Sequence, residues 1–142
     1  MKKIVYKEIR QNYDKEQLRL LHHDTEWIEY GNDMEKEERA IQKSLCTIGA
    51  YDEDKLVGIV RVIGDDERVI YFQELVVLKQ YKRMGIGRTL VEMIMEKYKH
   101  VTDKVLITDN TDNNPETNGF YQSLGYKLAS DMGIVCYLKF EH

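Results

Sequence analysis

"QYKRMGIGRTLVEMIMEKY", residues 80–98, sets Gly85 and Gly87 at the mouth of a run in which Ile86, Leu90, Val91, Ile94, Met95 and Tyr98 recur at helical spacing. The chain has only nine glycines in 142 residues, so two of them separated by one position need a reason. A tight turn accounts for one. The start of a helix carries backbone N–H groups without partners and the positive end of the macrodipole. Glycines there let a phosphate approach those groups without meeting a Cβ. Lys82, Arg83 and Arg88 add positive charge around the same turn. The stretch therefore predicts a strand, a turn that cradles a pyrophosphate, and a helix. It is not a P-loop, because G-x-x-x-x-G-K-[ST] is absent. It is not a dinucleotide fingerprint either, because Leu90 holds the third glycine position.

"RVIYFQELVVL" (68–78) reads as the central strand that feeds the turn. Before it, "CTIGAYD" (46–52) and "LVGIVRVIG" (56–64) are consecutive strands divided by the turns "EDK" and "DDE". "KIVYKEIR" (3–10) alternates apolar and charged residues, as a half-buried first strand does. Asp14 opens a helix over 15–30, and Asn32 or Asp33 caps a second over 34–45, whose Met34, Ile41 and Leu45 share a face. After the glycine turn, "KVLITD" (104–109) is a short strand. "PETNGFYQSLG" (115–125) is a helix with proline at its first position and Gly125 at its end. "YKLAS" (126–130) and "IVCYLKF" (134–140) are expected to close the chain as a hairpin about Met132–Gly133. The order β-α-α-β-β-β-α-β-α-β-β predicts one α/β (α+β) domain over 1–142. Its central sheet is mixed, mostly antiparallel, of six to seven strands, flanked by four helices.

Composition narrows the function. A net charge of −4 argues against a nucleic-acid-binding module, which shows a basic face. Apolar runs fall short of the roughly 18 residues that a membrane span needs. The start "MKKIVYKEIR" lacks an apolar core and cleavage site, and so reads as a strand rather than a signal peptide. Cys46 and Cys136, in apolar surroundings, read as buried reduced thiols. His22, His23, His100 and His142 form no ligand-spaced set with them, so no metal is expected. These features point to a cytoplasmic protein.

The segment "YKRMGIGRTL" resembles the acyl-CoA-binding loop of the GCN5-related N-acetyltransferase (GNAT) superfamily, whose pattern is Q/R-x-x-G-x-G/A. Gly85 and Gly87 match, and Lys82 stands where the family has Gln or Arg. Asn114 with "FYQSLGY" (120–126) resembles the family's N-x-x-A-x-x-x-Y segment and its "FYxxxGF" ending. Thr117 replaces the alanine and Tyr126 the phenylalanine. The element order agrees over nearly the whole chain. The resemblance implies acetyl transfer from acetyl-CoA to an amine by direct attack in a ternary complex. It also implies a homodimer as the family's usual assembly.

That chemistry assigns roles. Lys82, Arg83, Met84, Gly85, Ile86, Gly87, Arg88 and Thr89 form the pyrophosphate turn. In the family the preceding strand splays from its neighbour. The backbone of Leu75, Val76 and Val77 would then pair with the amide-rich pantetheine arm. An N–H of Val76 or Val77 would polarise the thioester carbonyl. Tyr121 would stabilise the departing thiolate; from periodicity alone it is a core aromatic. A thiol has a pKa of about 8.5 and a tyrosine about 10, so a short hydrogen bond serves better than full proton transfer. Asn114 caps its helix and contacts CoA. Glu74 is the candidate base, read as a carboxylate in an apolar row with Ile70, Phe72, Val76 and Leu78, where burial would raise its pKa. The alternative is an ion-paired structural glutamate. Trp27 and Tyr30 are candidates to hold the amine by cation–π contact. The expected acceptor is a small-molecule primary amine. A protein lysine or N-terminal amine is the alternative, and a non-catalytic acyl-CoA sensor or partner module is the alternative of another class.

Overall fold

A computed structural model describes residues 3–25, 33–108 and 115–141. The chain divides into two compact units, Met1–Leu106 and Ile107–His142. The first holds β1 (Ile4–Glu8), α1 (Lys15–His23), α2 (Met34–Lys43), β2 (Cys46–Asp52), β3 (Lys55–Gly64), β4 (Val69–Val77), α3 (Ile86–Lys97) and β5 (Asp103–Leu106). A 3-10 turn, Lys79–Tyr81, joins β4 to the loop before α3. The strands form one sheet in the order β1-β2-β3-β4-β5. The first three pairings are antiparallel and β4–β5 is parallel, with α3 as the crossover between them.

Local chemistry explains the boundaries. Asp14 caps α1 by accepting from the N–H groups of Glu16 and Gln17 at 2.9 and 3.1 Å. Asp33, rather than Asn32, provides the cap of α2, accepting from Lys36 N–H at 3.1 Å. Asp65 turns β3 into β4 by accepting three backbone N–H groups, from Glu67, Arg68 and Val69. Those bonds hold its carboxyl down to about 2.

Helix α3 covers one face of the sheet through Ile86, Leu90 and Ile94, all fully buried. Gly58 of β3 lies under this helix. A Cβ there would lie 3.1 Å from Val76 O, 3.3 Å from Ile86 Cγ2 and 3.5 Å from Leu90 Cδ1. Gly58→Val is therefore expected to overpack this contact and cost about 1–3 kcal/mol, lowering Tm by roughly 5 °C. An unchanged Tm in thermal unfolding would show that the helix yields freely there.

The second unit contains α4 (Pro115–Ser123) and a 3-10 turn, Ala129–Met132, which ends at Gly133 with φ 74°. Here the sequence expectation needs correction. Residues 126–128 and 134–141 lie outside helix and strand, so the described sheet has five strands rather than six to seven. Alternation of apolar residues marks a segment able to be a strand, but a strand also needs a hydrogen-bonded neighbour. The apolar side chains of 134–140 stay exposed, Tyr137 at 92% and Val135 at 70%. Cys136 is exposed too, against the expectation of burial, whereas Cys46 is buried; both are free thiols.

Candidate functional site

The loop from β4 to α3 is bent by two left-handed residues, Arg83 at φ 65° and Gly85 at φ 80°. Gly85 is the N-cap of α3 and brings no side chain to the orphan N–H groups that follow. Its glycine is required by backbone conformation, since left-handed φ penalises any Cβ. Arg83 adopts the same region at a cost of roughly 1 kcal/mol. Gly87 is different. It lies inside the first turn of α3, outside the residues at positive φ. Glycine inside a helix costs about 1 kcal/mol relative to alanine. No backbone demand explains glycine at Gly87, which is half-buried. Lys82, Arg83 and Arg88 are exposed around this turn, and Arg88 reaches Glu92 at 3.5 Å.

The end of β4 leads into this loop. Its pairing with β5 runs from Val69↔Asp103 to Phe72↔Leu106 and stops, while its pairing with β3 continues to Val77↔Gly58. Gln73 to Val77 thus have a strand neighbour on one side only, among the described residues. Leu78 N–H donates to Val57 O at 2.9 Å, toward β3. Backbone groups alternate sides along a strand, so those of Val76 also face β3, and those of Leu75 and Val77 face the open edge.

A bulge in β4 redirects Glu74. Phe72 lies opposite Val62 and Glu74 opposite Arg61, with a register shift between. Directly opposed residues share a face, and consecutive Arg61 and Val62 point to opposite faces. Glu74 therefore leaves the face of Phe72, contrary to the uninterrupted apolar row read from the sequence. It meets a set of charged groups instead.

That set is buried: His22 from α1, Glu37 from α2, Arg61 from β3 and Glu74 from β4 are each at most 5% exposed. Arg61 Nη2 donates to Glu74 Oε1 at 3.4 Å, and its Nε lies 3.4 Å from Glu74 Oε2 and 3.6 Å from Glu37 Oε1. Arg61 Nη1 donates to Ser44 Oγ at 3.1 Å. His22 Nδ1 lies 3.1 Å from Leu18 O and its Nε2 3.6 Å from Glu74 Oε2. Burial alone pushes the Glu74 carboxyl up, but the neighbouring His22 imidazole and the Arg61 charge outweigh it and hold the group below its usual range. The expectation of a raised Glu74 is thereby corrected. The raised carboxyl is Glu37, pushed up to about 8 by burial and by the neighbouring Glu74 charge. Burial lowers His22, yet Glu74 and Glu37 more than offset this and raise it. His22, Glu37 and Glu74 offer donor atoms within 4.8 Å of one another. A metal ion would have to displace Arg61, whose fixed charge already faces both carboxylates.

In the second unit, Tyr121 lies on α4, edge-on to Phe120 with ring centroids 5.2 Å apart and to Tyr126 at 6.0 Å. Burial pushes its phenol up to about 12, so it keeps its proton and acts as a donor.

The sequence pattern of the acetyltransferase (GNAT) family matches residues 6–126. The chain belongs to the GNAT family. Its α/β fold is the GNAT fold. It is 28% identical to a GNAT family acetyltransferase from Streptococcus pneumoniae TIGR4, whose structure superposes with a TM-score of 0.81 over 98% of each chain. The GNAT fold also aligns, at TM-score 0.75 and 13% identity over 99% of each chain, with AAC(6')-Iy in complex with the bisubstrate analogue CoA-S-monomethyl-acetylneamine. A Bacillus subtilis (strain 168) relative, the uncharacterised protein YyaT, is 28% identical over 92 residues. That match covers 63% of this chain and 58% of the relative.

Within this GNAT chain, the first unit brings together the loop 82–88 and the β4 edge at Leu75 and Val77. Trp27, Tyr30 and Asn114 lie outside the described residues. Reading the sequence missed His22, Glu37 and Arg61. One signal was available: Arg61 is the lone charge inside "LVGIVRVIG", and a charge in a buried strand requires a partner.

Proposed function

We propose that the chain is an acetyl-CoA-dependent N-acetyltransferase that acts on a primary amine of a small molecule, by direct attack in a ternary complex. The observation that carries this reading is the glycine-capped start of α3. Its N–H groups receive no side-chain cap, and Gly87 has no conformational reason to be glycine. Residues 82–89 would hold the pyrophosphate by those N–H groups and by the charges of Lys82, Arg83 and Arg88. The open edge of β4 fits the amide-rich arm, with the groups of Leu75 and Val77 available to it and Val77 N–H suited to polarise a carbonyl. Acetyl-CoA supplies an acetyl group activated as a thioester. In this reading Tyr121 donates a hydrogen bond to the developing thiolate, and its high pKa favours stabilisation without full transfer. Asn114 would bind CoA, and Trp27 and Tyr30 the amine. Glu74 would accept the ammonium proton. Residues 1–142 act as one domain, a reading supported by a family match that runs through both compact units.

A small acceptor is favoured by the fold's likeness to an aminoglycoside N-acetyltransferase. The test is release of free thiol from acetyl-CoA with polyamines, aryl-alkyl amines, aminoglycosides, amino acids and lysine peptides. Turnover is expected with at least one small amine, at a kcat/KM at least tenfold above any peptide. Faster acetylation of peptides moves the assignment to a protein acetyltransferase. Binding of CoA without any transfer leaves only the sensor.

A further inference from the structure

We propose that Glu37, on α2, is the final holder of the proton taken from the acceptor ammonium, with Glu74 as the relay and His22 and Arg61 as positioning residues. The proposal rests on the N-acetyltransferase reading and deepens it by one step. Leu18 O can only accept, so His22 Nδ1 carries a proton and donates to it at 3.1 Å. The other nitrogen, Nε2, faces Glu74 Oε2 at 3.6 Å. A bare lone pair facing a carboxylate is repulsive, so this pair also holds a proton; His22 is raised and Glu74 lowered, which puts that proton on the imidazole beside an ionised Glu74.

The second carboxyl is tied to the first. Glu37 and Glu74 offer carboxyl oxygens within 4.8 Å of each other, and Arg61 Nε lies between them, 3.6 Å from Glu37 Oε1 and 3.4 Å from Glu74 Oε2; two carboxyl groups held this close resist double ionisation, so one of them readily takes a proton. Glu37 Oε1 and Glu74 Oε2 are both buried and receive no hydrogen bond from a fixed N–H or O–H donor, which a shared carboxyl proton supplies. Charge counting then defines two states. With Arg61 and His22 charged and both carboxylates ionised, the set is neutral. Adding one proton gives a net charge of one, carried with Glu37 as the acid. The groups facing Glu37 are Glu74 from β4, Arg61 from β3, His22 from α1, and Tyr13 just before α1, whose phenol is raised by burial and by Glu38 and Glu37. Arg61 and His22 hold Glu74 low, so Glu74 passes a proton on instead of keeping it. Glu37, at about 8, has the affinity that suits a base near neutral pH.

The step balances. The ammonium N–H bond breaks and its proton goes to a Glu74 oxygen, leaving the nitrogen lone pair for attack. The proton then passes from Glu74 to Glu37, restoring the Glu74 carboxylate and forming one carboxylic acid. After transfer, the acid returns its proton to solvent.

The test is Glu37→Gln, which copies the shape of the neutral acid and holds no exchangeable acid proton. Isotope-edited infrared spectroscopy of the full chain follows the carboxylic C=O band with pH and needs no acceptor. The parent is expected to lose one buried band near pH 8, and the variant to lack it. Thermal unfolding gives a second readout. A carboxyl that holds its proton more tightly when folded costs stability as pH rises from about 4.5 to about 8. The variant removes that cost and is expected to melt higher than the parent above pH 8. With whichever amine of the panel turns over fastest, kcat of the parent should rise with pH to a plateau near 8. Glu37→Gln should lose that inflection and about tenfold or more of kcat, and Glu37→Asp should regain part of it. A variant that keeps the buried band, or keeps the parent's kcat–pH profile, overturns the assignment. Absence of turnover with every amine overturns the acetyltransferase reading and this step with it, whatever the band shows.

Discussion

Substituting Gly87 by aspartate is expected to abolish measurable CoA binding while the fold stands. The two effects have opposite signs, which makes the result diagnostic. Gly87 lies in the first turn of α3. An aspartate there is favourable to the helix itself, because it answers the positive end of the dipole and replaces the poorest non-proline helix former. Toward a bound pyrophosphate the same carboxylate is repulsive. Two like charges about 4 Å apart at an effective dielectric of about 20 cost about 4 kcal/mol, roughly a thousandfold in Kd. Calorimetric titration with CoA and thermal unfolding, run on both proteins, separate the two. Unchanged affinity in a folded variant removes the cradle assignment.

Tyr121→Phe is expected to lower kcat by roughly 10²-fold, the low end for a positioned proton donor, with little change in KM for acetyl-CoA. The ring keeps its volume, so the edge contacts with Phe120 and Tyr126 persist. Only the hydroxyl is lost. A hydrogen bond that strengthens as the thiolate develops acts in the transition state and so appears in kcat rather than in KM. Steady-state kinetics beside a melting curve decide it. Full kcat in a stable variant makes Tyr121 a packing residue.

How much of this was legible in the sequence depended on how far each interaction reaches along the chain. The strand–turn–helix at 68–98 was readable because its signals are local: apolar periodicity, two glycines and a change from period two to period 3.6. The caps at Asp14 and Asp33 were readable for the same reason. The Glu74 environment was not. One extra residue in β4 reverses its face, and nothing in "IYFQELVV" marks where a bulge falls. Its partners come from three other elements, His22 52 positions away and Glu37 37 away. The apolar face expected for α2 named Met34, Ile41 and Leu45, yet Glu37 lies four residues before Ile41 and is buried with it. A binary pattern scores such a carboxylate as solvated, because its partner charge is invisible until the fold is known. The closing hairpin was over-read for a related reason: "IVCYLKF" has a strand's composition, and pairing is a tertiary property.

The central claim is that the N–H groups at the start of α3 receive the pyrophosphate. Backbone-amide NMR of the isotopically labelled chain, titrated with CoA, tests it most directly. The largest shifts are predicted at Gly85, Ile86, Gly87 and Arg88, with a second set at Leu75 and Val77 on the open edge of β4. Saturable CoA binding that leaves the amides of residues 85–88 unmoved would contradict the account.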